Sequence, residues 1–258
     1  MTAPLFWLSP GALAGSPGSP GAVVGDELVL DGAEGHHAVT VRRVRVGESV
    51  LLADGSGLLA GAVVTGLGRG ELTARIESLR DAAPGAPRLV LVQALAKEGR
   101  DEAAVETATE LGVDEIVPWQ AGRSVVIWRG ERGEKSLRKW RNVASAAAKQ
   151  SRRATLPAVP GVLATPALAA RVAECVAGGG TAYVLYESAT LPLAAADVAA
   201  ASEVLLIVGP EGGIAPEELA VLETAGAAVV RLGDTVLRSG SAGPAALAVV
   251  LAATRWRA

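Results

Sequence analysis

Between residues 23 and 80 the chain runs in apolar stretches of four to eight residues, broken by Asp-Gly and glycine-rich punctuation: VVGDELVL, ESVLLADGSGLLAGAVV and ELTARIESL. This pattern predicts short strands joined by tight turns, as in a small barrel or sandwich. Gly66, Gly68 and Gly70 fall between two of these strands and predict a hairpin turn. The next stretch, DAAPGAPR (81–88), carries two prolines and no period, and reads as a linker between residues 1–80 and 89–258. After it the texture changes. LVLVQAL (89–95) reads as a buried strand, 101–111 as a helix stopped by Gly112, and EIVPW (115–119) as the next strand. A helix over about 134–150 places Leu137, Trp140, Ala144 and Ala147 on one face and Lys/Arg on the other. YVLYE, VLLIVG and AVVRL are further strands, 215–225 is a helix with Pro216 in its first turn, and 241–256 is a closing Ala-rich helix. Strands alternating with helices imply an α/β fold with a mostly parallel sheet after residue 88.

Composition narrows the class. Half of the 258 residues are hydrophobic and 20% are charged, enough for a sizeable core. Aromatics are only 3%, so that core is built from Ala, Val and Leu. The one cysteine, Cys175, excludes a disulfide framework. With two histidines it makes no ordinary structural zinc site, so no metal is expected. A reducing, cytoplasmic compartment fits this usage. The N-terminal stretch has no basic n-region, and the longest apolar run, 245–253, is too short to span a bilayer, so neither signal peptide nor membrane partner is expected. The formal net charge is -3, yet Arg129–Arg153 holds nine Lys/Arg against two glutamates.

Two late segments hold candidate chemistry. VGPEGGIAPEE (208–218) follows a strand and opens a helix. Gly209, Gly212 and Gly213 let the backbone turn sharply and approach a ligand, and the helix start offers free N–H groups. It is neither a Walker A loop nor a dinucleotide fingerprint, and Glu211 suits a cationic ligand better than a phosphate. LGDTVLRSGSAGPAAL (232–247) repeats the theme with Arg238 and small hydroxyl residues. One such loop is most simply a turn; two, closing successive strands, point to a shared pocket.

GPEGG before a Pro-Glu-Glu helix, followed by LG-x-x-VLR-S-x-S-A, resembles the C-terminal signature of the SPOUT-type RsmE family of S-adenosylmethionine-dependent methyltransferases. GHHAVTVRRVRVGESVLLADGSG (35–57), the ATELG and RSV segments and AAAKQSRR extend the resemblance over nearly the whole chain in the same order. It implies a SPOUT-type α/β domain with a trefoil knot behind a small PUA-like β-barrel. The implied activity is methylation of N3 of a specific uridine in the decoding region of 16S ribosomal RNA, within a small-subunit particle, by a homodimer. The implied S-adenosyl-L-methionine contacts are Leu185, Val208, Gly209, Gly212, Gly213, Leu232, Gly233, Leu237 and Ala242. Arg238 is the expected stabiliser of charge on the uracil oxygens. Glu211 is a candidate base if its carboxylate faces the pocket; otherwise it is a helix-terminal charge or a turn acceptor. RNA contacts are expected from His36, Arg42, Arg43 and Arg45, and from Arg123 with the basic segment, including Arg152 and Arg153. Adjacent His36 and His37 read as structural or RNA-facing, and Cys175 as core. Where the family commonly has Glu between its two hydroxyl residues, this chain has Gly240, so no role of that Glu transfers. Two other readings stay open: a SPOUT methyltransferase of a tRNA base or ribose 2′-hydroxyl, and an RNA-binding ribosome-assembly factor with a decayed pocket.

Overall fold

In the computed structural model, which describes residues 3–15 and 20–257, the apolar stretches of residues 23–80 form strands, joined by a short strand at 5–7 that their pattern does not predict. They are β1 (Leu5–Trp7), β2 (Glu27–Leu30), β3 (Ser49–Ala53), β4 (Leu58–Leu67) and β5 (Leu72–Asp81). They make one curled sheet in the order β1-β3-β4-β5-β2, antiparallel except where β1 runs parallel to β3. Alternate residues point into its core: Ala60, Ala62 and Val64 of β4 meet Leu72, Ala74 and Ile76 of β5. Register shifts at Gly61/Ala62 and Val64/Gly66 bend this long hairpin, whose turn falls in the expected glycine run.

One helical segment lies between the predicted strands. Residues 31–41 turn helically, as α1 (Gly32–His36) continued by a π-turn (His37–Val41). The stretch GAEGHHAVT lacks period-two apolar positions, and it buries only Gly35 and Ala38.

The described chain forms two compact units, Met1–Pro84 with Ala148–Leu156, and Gly85–Ala147 with Pro157–Ala258. Within the first, Lys149 Nζ binds the Glu34 carboxylate at 2.7 Å and sits 5.2 Å from the Phe6 ring centroid. Ala154 packs with Leu5, Ala53 and Leu59. Asp54, 7% exposed, accepts N–H bonds from Leu13, Ala14 and Ser56. Burial alone would raise its pKa; the hydrogen bonds from Ser56, Leu13 and Ala14 outweigh it and hold the carboxyl below the usual aspartate value. Its stabilising contribution is therefore complete above the ordinary aspartate pKa and lost as pH falls through the depressed folded value. Asp54→Asn places an amide where N–H donors converge. It is expected to cost about 1–3 kcal/mol near neutral pH and to shrink the acid-side loss of stability, measured by urea unfolding at several pH values.

The second unit is a six-stranded sheet in which every pairing is parallel: β6 (Arg88–Ala94), β7 (Glu115–Gln120), β8 (Leu163–Ala164), β9 (Thr181–Leu185), β10 (Glu203–Val208) and β11 (Ala228–Val230), ordered β11-β9-β10-β6-β7-β8. Both faces are covered, which explains continuous apolar runs such as LVLV. Leu89 and Leu91 join a core with Val105 of α2 (Arg100–Leu111), Trp140 of α3 (Gly130–Gln150) and Leu247 of α6 (Ser239–Ala253). Val90 and Val92 face Leu168 of α4 (Thr165–Ala177) and Leu222 of α5 (Pro216–Thr224). The buried stripe of α3 is the expected one, Leu137, Trp140, Ala144 and Ala147, with Trp140 edge-on to Trp128 at 5.1 Å. The last helix starts two residues earlier than the sequence suggests, which makes Arg238 its N-cap. Among the described residues no helix is long and apolar enough to cross a membrane.

Candidate active site

A parallel sheet gathers its functional loops at the carboxyl ends of its strands, where chain leaves the sheet and helices begin. In the second unit that edge holds a cavity of about 500 Å³. Leu185 and Val208, the last residues of β9 and β10, form its floor, and the turn Gly209–Ile214 forms one wall. Val236, Leu237, Arg238, Ser239 and Ala242, leading into α6, form another. A smaller cavity of about 80 Å³ shares Leu185, Leu237 and Ala242 with it and adds Leu232 and Gly233. The nine residues expected to contact a cofactor thus fall around two adjoining cavities that share a wall.

The Gly212–Gly213 turn fits closely against its neighbour. A Cβ at Gly212 would lie 3.2 Å from the Arg123 carbonyl oxygen, and Gly213 has φ +72°, a conformation side chains rarely adopt. At these two positions only backbone groups are left to hydrogen-bond.

Three arginines line the larger cavity, and their engagements differ. Arg100 opens α2 and pairs with Glu98 at 2.9 Å and with Glu211 at 3.2 Å. It enters from a turn in which Glu98 and Gly99 both have positive φ. Arg123, expected to contact RNA, is exposed, lines the cavity and donates from Nη1 to the Gly212 carbonyl at 3.3 Å. Arg238 is exposed; its carbonyl accepts the Ser241 and Ala242 N–H groups, and its guanidinium has no hydrogen-bond or ion-pair partner among the described residues. Glu211 lines the cavity, but its Oε1 already accepts from the Lys97 N–H at 3.1 Å and from Arg100.

Arg100, Tyr186, Glu187 and Ser239 also line the cavity and were not singled out in the sequence. Arg100 carried a readable signal: it is the first residue of a helix just past the carboxyl end of a buried strand, the rule that exposed the glycine loops. Gly240 has a partner of its own. A Cβ there would lie 2.6 Å from the Arg100 carbonyl oxygen, so the backbone of the 97–100 turn occupies the space a side chain would need.

The expected RNA contacts of the first unit are exposed: His36, Arg42, Arg43 and Arg45. His37 is half-buried, edge-on to Phe6. Arg152 is exposed, with φ +57°, whereas Arg153 is half-buried and donates to Thr155 Oγ1 at 3.2 Å. On α3, Arg132, Lys135 and Arg138 recur every third residue on the solvent face, while Lys139 is paired with Glu102. Cys175 is buried, its thiol pushed up to about 11, first by burial and then by the Glu203 charge. That makes it a packing residue and a poor nucleophile.

The family model described as RNA methyltransferase domain matches residues 84–251, and that described as RNA methyltransferase PUA domain matches residues 30–77. The chain belongs to this RNA methyltransferase family. The methyltransferase is 51% identical over 235 residues to ribosomal RNA small subunit methyltransferase E of Mycobacterium bovis, covering 91% of this chain and 90% of that protein. It is 25% identical over 225 residues to the protein of the same name from Bacillus subtilis, covering 86% and 88% of the two chains. The crystal structure of ribosomal RNA small subunit methyltransferase E from Neisseria gonorrhoeae bound to S-adenosyl methionine matches with TM-score 0.83 over 98% of each chain. At 24% identity, that likeness speaks to the fold. The family expected from GPEGG and its companion motifs is therefore the one found, with a parallel α/β sheet in the methyltransferase unit and a curled sheet that suits a PUA-like barrel.

Proposed function

We propose that this methyltransferase transfers the methyl group of S-adenosyl-L-methionine to N3 of one uridine in the decoding region of 16S ribosomal RNA. The observation that carries the reading is the meeting of both late glycine loops around one cavity with Arg238 uncommitted at it. The relatives named for the ribosomal small subunit support the substrate, and the S-adenosyl methionine named with the Neisseria gonorrhoeae structure supports the donor.

The cavity suits that donor. Its volume of about 500 Å³ lies within the ordinary range for small-molecule sites. Apolar Leu185, Val208, Leu237 and Ala242 offer contact for a purine and its ribose, and the Gly209, Gly212 and Gly213 wall and Leu232–Gly233 offer backbone groups. When bound, the donor supplies a methyl group already activated on a sulfonium. The protein's work is then orientation and control of charge. Arg238 donates to a uracil carbonyl oxygen and holds the negative charge that develops as the N3 proton leaves. Glu211, its Oε1 already held by two donors, serves as a tie between the 97–100 turn and the glycine loop, and the proton passes to water at the cavity mouth. The target base has to be splayed from its neighbours for N3 to reach the site.

The exposed arginines at 42, 43, 45 and 152 and the α3 face at 132, 135 and 138 neutralise RNA phosphates in this reading, and Arg153 braces its own loop. The chain around β9–α6 forms the trefoil knot of SPOUT proteins, and the enzyme works as a homodimer on a small-subunit particle in the cytoplasm. Calorimetric titration with S-adenosyl-L-methionine tests the donor. Micromolar-range binding is expected, and absence of heat at millimolar donor would return the chain to the decayed-pocket reading.

A further inference from the structure

We propose that Glu218 is a positioning residue that, acting through Gly122 and Arg123, fixes the Gly212–Gly213 turn on which the methyl donor binds. The inference rests on the donor reading above.

Glu218 lies in the first turn of α5, where a carboxylate ordinarily serves the free N–H groups of the helix start. Here that engagement is the weak one: Oε2 receives the Ala215 N–H at 3.4 Å. The short bonds go elsewhere. Oε1 accepts the Gly122 N–H at 2.8 Å and the Thr165 hydroxyl at 2.5 Å. Thr165 Oγ1 in turn accepts the indole N–H of Trp119, which is fully buried. One carboxylate oxygen thus joins the start of α5, the start of α4 and the chain just past β7 to a core tryptophan.

The residue after Gly122 is Arg123, whose guanidinium donates to the Gly212 carbonyl and whose backbone oxygen abuts Gly212. The connections close a ring: Gly212 and Gly213 lead through Ala215 into α5, Glu218 holds Gly122, and Arg123 returns to Gly212. Arg123 is exposed and holds the turn through one side-chain bond of 3.3 Å, so its backbone needs an anchor, and the charge-assisted bond to Gly122 is that anchor. A shift of this backbone moves the turn and with it the peptide groups that line the cavity.

The test is calorimetric affinity for S-adenosyl-L-methionine, with ligand-free thermal melting measured beside it. Glu218→Ala is expected to weaken the donor by about tenfold. Glu218→Gln retains an oxygen for Gly122 and Thr165, and stays within about threefold of the parent. Arg123→Ala, at the end of the relay, reproduces the loss, and adding it to Glu218→Ala weakens binding little further. Lower melting of Glu218→Ala with unchanged donor affinity would make Glu218 structural only and overturn the proposal. So would equal loss in the Gln and Ala variants. Should Glu218→Ala not fold, Arg123→Ala decides alone, and parental affinity there overturns the relay. A parent protein that binds no donor overturns the donor reading itself, a result distinct from all of these.

Discussion

Arg238→Ala is expected to lower turnover by about 10²–10³-fold while changing donor affinity less than about threefold. The asymmetry follows from the cavity's three guanidiniums. Arg100 is committed to Glu98 and Glu211, and Arg123 to the Gly212 carbonyl, whereas Arg238 is uncommitted. A committed arginine shapes the site whether or not RNA is present. An uncommitted one can strengthen its bond to the uracil oxygen as charge develops there, and an interaction made mainly in the transition state appears in turnover. Single-turnover methylation of 16S RNA at saturating donor, beside calorimetry, separates the two effects. A variant with parental turnover would remove Arg238 from the chemistry.

Placing Glu at position 240, as the resemblance to the RsmE family would suggest, is expected to damage this enzyme. A Cβ at Gly240 would lie 2.6 Å from the Arg100 carbonyl oxygen, a backbone atom that cannot swing aside as a flexible side-chain end can. The 97–100 turn would have to move, and the Arg100–Glu211 pair that links it to the glycine loop would move with it. Gly240→Glu and Gly240→Ala should therefore both lose stability, by about 1–3 kcal/mol, because the Cβ alone causes the clash. Donor affinity should fall in both, by more than about tenfold in the Glu variant. Thermal melting and calorimetry read the two effects. Higher activity in Gly240→Glu would mean that the Arg100 turn yields readily and that the pocket of this chain lacks a group it needs.

The layered part of the fold was legible because burial on both sheet faces writes itself as uninterrupted Val/Leu runs, and because α3 carries its stripe at helical spacing. The glycine loops were legible for a related reason: a strand that ends in glycines before a helix marks a ligand-binding edge. The start of α6 was not, since Ser239-Gly240 has the composition of a loop and only tertiary packing draws it into the first helical turn. Residues 31–41 fall between the predicted strands, and their short helical turn announces itself only by the missing alternation. Nothing local marks residues 148–156 as packing with the first unit, since Lys149 and Ala154 meet partners more than ninety residues away in sequence.

The site was legible as a set of positions more than as a set of roles. Arg123 sits beside a strongly basic segment and was read as part of it. Its contact with Gly212 spans 89 residues and leaves no trace in either segment alone. Glu211 and Arg100 are separated by 111 residues in the same way, so a candidate base and the arginine that occupies it could not be matched from the chain. Period and composition report what one segment buries; which loop end meets which is decided by sheet order, here β9-β10-β6-β7, and that order emerges only in the folded sheet.

The most direct test of the account is to map methylated nucleotides on 16S RNA from a strain lacking this protein, with and without complementation by the parent and by Arg238→Ala. One decoding-region uridine is expected to lose its N3 methyl group in the deletion strain, to regain it with the parent gene and to stay largely unmodified with the variant. An unchanged 16S methylation pattern in the deletion strain, or a lost methyl group on another RNA or on a ribose oxygen, would contradict it.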